Sequence, residues 1–255
     1  VLSILASDDI TIANLEGTLT LYDVPEPGGA FRFRGKPRYA DLLARGSVEV
    51  VTFNNNHVFD FGYPGYSDTL WALGRAGVGV AARRRVDRRT VKGIEVVTSA
   101  LDTPADEAAT AHVVDEVSRL ATPLNVVIVT FHWGVEHSSE VREAQRALAH
   151  AVIDAGADLV LGTHPHVLQS VEEYGGRHIA YSLGNFVFGG NRNPKDTDTV
   201  IYRETIYFDA RGIQRTEADV VPAAVTHSAD RNDFQPRILS GADAQRVRRR
   251  VFGGE

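Results

Sequence analysis

The chain has 255 residues, of which 43% are hydrophobic and 24% charged, with 23 Gly and 10 Pro. That is the make-up of a folded globular protein, long enough to bury a core without covalent staples, and it excludes global disorder. A net charge of −6 argues against a dedicated nucleic-acid binder, and the absence of Cys excludes disulfides, a thiol nucleophile and thiolate metal ligation.

In chain order, short β-branched runs alternate with helical stretches. Strands are predicted at Ile10–Asn14, Val48–Phe53, Ile94–Thr98, Val126–Phe131, Leu159–Leu161 and His178–Ser182. Thr199–Phe208 and Thr216–Pro222 alternate more regularly and read as antiparallel partners. Helices are predicted at Pro37–Ala44, Tyr66–Ala76, Ala111–Leu120, Ser139–Ala155 and Ala242–Arg250. The Ser139 helix has Val141, Ala144, Leu148, Ala151 and Val152 at helical spacing and ends in Ala155-Gly156, a C-cap signal. Strand–helix alternation predicts a layered α/β fold. No linker interrupts it, so one domain is expected over residues 1–255. The longest apolar runs, such as Asn125–Phe131, are far shorter than the roughly 20 residues of a membrane span. A soluble, cytoplasmic protein is the expectation, with a leader or anchor neither claimed nor denied.

Five polar clusters follow predicted strands: Asn14–Gly17, Asn54–His57, His132–Gly134, Gly162–His166 and Gly184-Asn185. Ligands of open α/β sheets gather at the carboxyl ends of strands, so such clusters converge in space. Gly162-Thr163-His164-Pro165-His166 carries the strongest signal, because two His one residue apart in an extended turn can reach one metal or two adjacent metals. His132 ends another apolar strand, and Glu16 follows the first. A carboxylate, several imidazoles and an Asn carbonyl form a ligand set suited to one or two divalent ions such as Mn, Zn or Fe. Any one cluster alone has an ordinary structural reading, as a turn or a strand end. Their number favours a metal site.

Taken together, Asn14-Leu15-Glu16-Gly17-Thr18, Asn55-Asn56-His57 with Asp60 and Gly62, His132-Trp133-Gly134, Ala155–His166 and Tyr181–Phe186 resemble the CapA family of bacterial capsule and poly-γ-glutamate biosynthesis proteins. That family is related to calcineurin-like metallophosphoesterases, and the resemblance runs from about Asp9 to Pro236. It implies a four-layer α/β/β/α sandwich with a metal centre at one edge. By the same resemblance Glu16 is a bridging carboxylate, and Asn56, His132, His164 and His166 are metal ligands. The resemblance makes His57 the His beside the Asn, which contacts substrate or acts as proton donor instead of binding metal. The family normally carries a Gly-Asp motif upstream of Asn14–Gly17. Asp8 and Asp9 stand too close to Glu16 to be that motif, so the ligand set named here is expected to be one carboxylate short.

A metal-dependent enzyme acting on a peptide or poly-glutamate-like substrate is therefore expected. Hydrolysis or transfer at an amide or ester is placed first. Metal-assisted epimerisation at a peptide Cα, an activity associated with CapA-like members in lasso-peptide pathways, is second. A non-catalytic accessory subunit of capsule-polymer synthesis is third. Trp133 and Arg192 are candidate substrate contacts. The run Arg83–Arg89 could grip a polyanion but reads first as a solvated loop.

Overall fold

The computed structural model describes residues 1–228 and 231–253. The chain divides into two compact units. One comprises Leu2–Gly93 and Val97–Asp102, and the other Val1, Ile94–Val96 and the chain from Thr103 onward. Each is an α/β structure, the class that strand–helix alternation predicts.

In the first unit a parallel sheet runs in the order Ile12–Asn14, Val50–Phe53, Gly79–Ala82. The central strand is buried along its whole length, as a parallel strand covered on both faces must be, and its sequence is accordingly all apolar except Thr52. Helix Gly62–Arg75 buries Gly65, Thr69, Ala72 and Leu73, one stripe at helical spacing, and Ala72 and Leu73 join a core with Val51, Phe53 and Val80. It starts a turn before the predicted Tyr66. Pro64 is harmless there, because first-turn N–H groups have no intrahelical partner. The Arg83–Arg89 run is partly strand rather than loop: Asp87–Val91 is extended, Arg89 pairs with Asp87 at 2.7 Å and donates to the Glu49 carbonyl, and Arg83 pairs with Asp102.

In the second unit four strands run in the order Val171–Tyr174, Arg177–Ala180, Leu159–Thr163, Asn125–His132. The last three are mutually parallel, and the first is joined to the second as an antiparallel hairpin. Helices Glu107–Leu120 and Glu143–Asp154 belong to this unit. The predicted antiparallel pair exists as a long ribbon, Asp198–Asp209 with Gly212–Ala224. Helix Gly241–Phe252 buries Val247 and Val251 in a cluster with Leu168, Val200 and Val220. The Ser139 helix begins only at Glu143. Buried Gln169 takes the carbonyls of Ser138 and Glu140, and the Gln145 side chain accepts from the Arg142 N–H, so the four residues before Glu143 are held as a loop. Among the described residues no helix is long and apolar enough to cross a membrane.

Candidate metal centre

In the second unit, strands Asn125–His132 and Leu159–Thr163 end side by side, pairing Phe131 with Gly162 and His132 with Thr163. Register thus puts His132 next to the turn that carries His164 and His166. His132 Nδ1 lies 2.9 Å from Thr163 Oγ1, and that hydroxyl donates onward to the Phe131 carbonyl. In the tautomer that lets the hydroxyl keep that bond, His132 Nδ1 is the donor and its Nε2 carries the lone pair. His164 Nδ1 lies 3.1 Å from that Nε2, with the rings 4.6 Å apart. Two imidazole nitrogens at this separation are held together by a shared proton or by a cation.

His166 Nδ1 is 2.9 Å from the Asn185 side-chain oxygen, and the Asn185 amide donates back to the His166 carbonyl. A carbonyl partner of this kind fixes an imidazole's tautomer and leaves its other nitrogen available as a donor. Both turn histidines adopt left-handed backbone, φ 98° at His164 and 59° at His166. Non-Gly residues there cost about 1–3 kcal/mol each and persist where the surroundings enforce them. Here Pro165 lies between them, and its carbonyl accepts the His137 N–H at 2.8 Å. One carboxylate that sequence reasoning missed joins the group. Donor atoms of Glu136, His164 and His166 lie within 4.8 Å of one another. Glu136 stands four residues after His132, beyond a Gly in a loop, so no helical or strand period exposes the relation.

The donor chemistry suits a divalent ion of the Mn, Zn or Fe class: imidazoles, a carboxylate, and no sulfur.

The first unit holds the other predicted residues. Gly17 turns the chain after Glu16 with φ 120°, and a Cβ there would stand 2.6 Å from the Phe33 Cβ, so only Gly fits. The Asn14 amide reaches a Glu16 carboxylate oxygen at 3.4 Å. The three consecutive Asn residues divide their tasks. Asn54 donates to the Ala100 carbonyl and to Asp102, Asn55 donates to Asn14 and the Leu15 carbonyl, and Asn56 is the exposed one. His57 Nδ1 is 2.9 Å from Asp60, whose same oxygen accepts the Phe33 N–H. Its Nε2 lies 3.9 Å from Glu16, and its ring packs 4.4 Å from Phe33. An imidazole oriented by a carboxylate at Nδ1, with Nε2 beside a second carboxylate, is equipped to hold and release a proton.

The two candidate substrate contacts differ. Trp133 is buried, its ring stacked on Phe131, and its indole N–H donates to the Tyr181 carbonyl at 2.9 Å. This is the packing position of a core residue. Burial and the Glu172 carboxylate push the Tyr181 phenol well above its ordinary pKa, so it stays protonated beneath. Arg192 is exposed, and its backbone carbonyl accepts the Asn232 N–H at 2.7 Å.

Comparison with known proteins adds the family. Residues 1–190 match the family model described as bacterial capsule synthesis protein PGA_cap. The PGA biosynthesis protein CapA of Bacillus subtilis is 32% identical over 60% of this chain and 46% of its own length. The capsule biosynthesis protein CapA of Bacillus anthracis is 32% identical over 89% of this chain and 63% of its own length. The chain thus spans about half to two thirds of the length of these relatives. A hypothetical protein from Thermus thermophilus, 17% identical, has a similar fold with a TM-score of 0.54 over 87% of this chain and 90% of that one. The protein belongs to the PGA_cap family of bacterial capsule synthesis proteins.

Proposed function

We propose that this chain is a divalent-metal-dependent enzyme that hydrolyses or transfers at the amide bonds of a γ-linked glutamate polymer or a related peptide. The observation that carries the reading is the arrangement of His132, His164 and His166. Oxygen partners fix which nitrogen of His132 and of His166 bears the proton, and His164 meets His132 at 3.1 Å. Those three residues hold the ion. Glu16 and Asn56 are proposed as further ligands on the family resemblance alone. A bound divalent ion polarises a carbonyl oxygen and lowers the pKa of a water to about 7. Asp60 orients His57, which holds a proton at Nε2 for the departing amine. Trp133 supports the His132 strand end from within the core, and Arg192 offers an exposed cation to an anionic polymer.

Metal analysis of purified protein, with poly-γ-glutamate, γ-glutamyl peptides and phosphoesters incubated in heavy water, tests the reading. His166→Ala is expected to lose metal and activity together. His57→Ala is expected to keep its metal while turnover falls by about 10²–10⁴. A metal-free wild-type chain would refute the proposal. Deuterium appearing at Cα of an uncleaved, inverted peptide would replace hydrolysis with epimerisation. Metal-loaded protein inert on every substrate would point to an accessory role.

A further inference from the structure

Glu136 has no place in the ligand set implied by the family resemblance, yet its carboxylate stands with the turn histidines. We propose that Glu136 is itself a metal ligand, supplying the second unit's centre with a carboxylate from its own loop. The inference rests on the metal-binding reading above.

Three observations support it. First, one carboxylate oxygen of Glu136 and one ring nitrogen each of His164 and His166 lie within 4.8 Å of one another. Ligand bonds of about 2.0–2.2 Å let one ion join donors some 4 Å apart, so small side-chain rotations close the set.

Second, the loop that carries Glu136 is pinned on both sides. On one side Trp133 is buried and its backbone N–H donates to the Thr163 carbonyl at 3.0 Å. On the other, the His137 N–H donates to the Pro165 carbonyl, between the two turn histidines. Beyond that, the Gln169 side-chain amide donates to the Ser138 and Glu140 carbonyls at 3.0 and 2.9 Å, while its oxygen accepts from Gln145 at 3.1 Å. Both glutamines are buried, with 2% and 4% of their surface exposed. Two buried amides committed to one exposed loop are an expensive way to hold it in place unless the loop's position matters. Its position sets where the Glu136 carboxylate stands relative to His164 and His166.

Third, the charge is suitable. Three neutral imidazoles leave a divalent ion with its full +2 charge, and one carboxylate halves it. A carboxylate ligand also widens the metals accepted toward Mn and Fe, which favour oxygen donors more than zinc does.

The test is metal affinity, measured by chelator competition on the full chain, for wild type, Glu136→Gln and Glu136→Asp, with Co(II) spectra recorded alongside. Glu136 is exposed, so apo-protein unfolding curves are expected to coincide and to exclude a folding defect. Glu136→Gln is expected to weaken binding at least about tenfold, the low end of what even an outer-shell partner contributes, and to change the Co(II) spectrum. Glu136→Asp is expected to recover part of the affinity. Wild-type protein that binds metal while Glu136→Gln binds equally tightly, with an unchanged spectrum, overturns this inference and leaves the metal reading standing. Wild-type protein that binds no metal overturns both.

Discussion

Gly162→Ala tests whether close packing behind the histidine turn is what positions it. A Cβ at residue 162 would stand 2.0 Å from the Tyr181 carbonyl oxygen and 2.4 Å from Trp133 Nε1, the two atoms of a buried hydrogen bond. One partner is backbone in the sheet's interior and the other a fully packed ring, so neither side yields cheaply. Overpacking a core costs about 1–3 kcal/mol, and losing the indole bond about 0.5–1.5 kcal/mol more. The sum is about 1.5–4.5 kcal/mol, or a fall in Tm of about 3–18 °C at roughly 2–4 °C per kcal/mol. Trp133→Phe removes the N–H while keeping an aromatic ring, and is expected to cost only the smaller part. Thermal and urea unfolding of the apo-proteins measure both. Because Gly162 precedes Thr163 and His164 directly, Gly162→Ala is also expected to weaken metal binding. An apo Tm within about 2 °C of wild type would refute the packing argument.

Three further outcomes follow from named contacts. Thr163→Val removes the hydroxyl that fixes the His132 tautomer and is expected to lower metal affinity about 10–100-fold with little loss of stability, read by chelator competition. Asp60→Asn is expected to reduce turnover at least about tenfold with metal content unchanged, since it acts through the orientation and basicity of His57. Glu172→Gln is expected to cost about 1–3 kcal/mol at neutral pH by chemical denaturation, because the carboxylate receives Arg146, His150 and Tyr181 together. Burial pushes the Glu172 carboxyl up, but the bonds from His150 and Tyr181 and the Arg146 charge outweigh it and leave its pKa lowered. A lowered carboxylate stabilises the fold above the unfolded value of about 4.3 and loses that stabilisation as pH falls through the folded value, so the gap between wild type and variant is expected to close in acid.

The sequence made the α/β class legible because strand runs such as Val126–Phe131 are apolar at every position but Thr130 and are followed directly by polar residues. The same punctuation singled out His132, His164 and His166 as candidates, and the structure brings His132 and His164 to 3.1 Å. What stayed hidden is whatever depends on contacts far apart in the chain. Thr163 looks like the end of a strand until register places it against His132. Glu136 looks like a loop residue until the 134–142 segment is pinned by Gln169, some thirty residues on. Trp133 beside a candidate ligand suggested a substrate contact, but alternation along the chain turns its side chain into the core instead. The start of the Ser139 helix was misplaced for the opposite reason. Its local pattern is helical, and a buried side chain from another element claims the first carbonyls.

The backbone at His164 offers a separate measure of what the turn was shaped for. Its φ of 98° is a conformation that glycine adopts freely and other residues adopt at a cost of about 1–3 kcal/mol. A turn selected for stability alone would carry glycine there. Ala ordinarily stabilises a fold over Gly by about 0.4–1 kcal/mol through the unfolded chain, where the native φ permits it. At residue 164 the order is expected to reverse. His164→Ala and His164→Gly lose the same imidazole and the same contact with His132, so the comparison between them cancels those losses and leaves the backbone. In the apo-protein His164→Gly is expected to be the more stable by about 1 kcal/mol or more, seen as a Tm higher by about 2–4 °C. Both variants are expected to lose metal alike. Ala above Gly by the ordinary margin of about 0.4–1 kcal/mol would mean that the backbone at residue 164 carries no strain, and its conformation would then say nothing about a turn maintained for ligation.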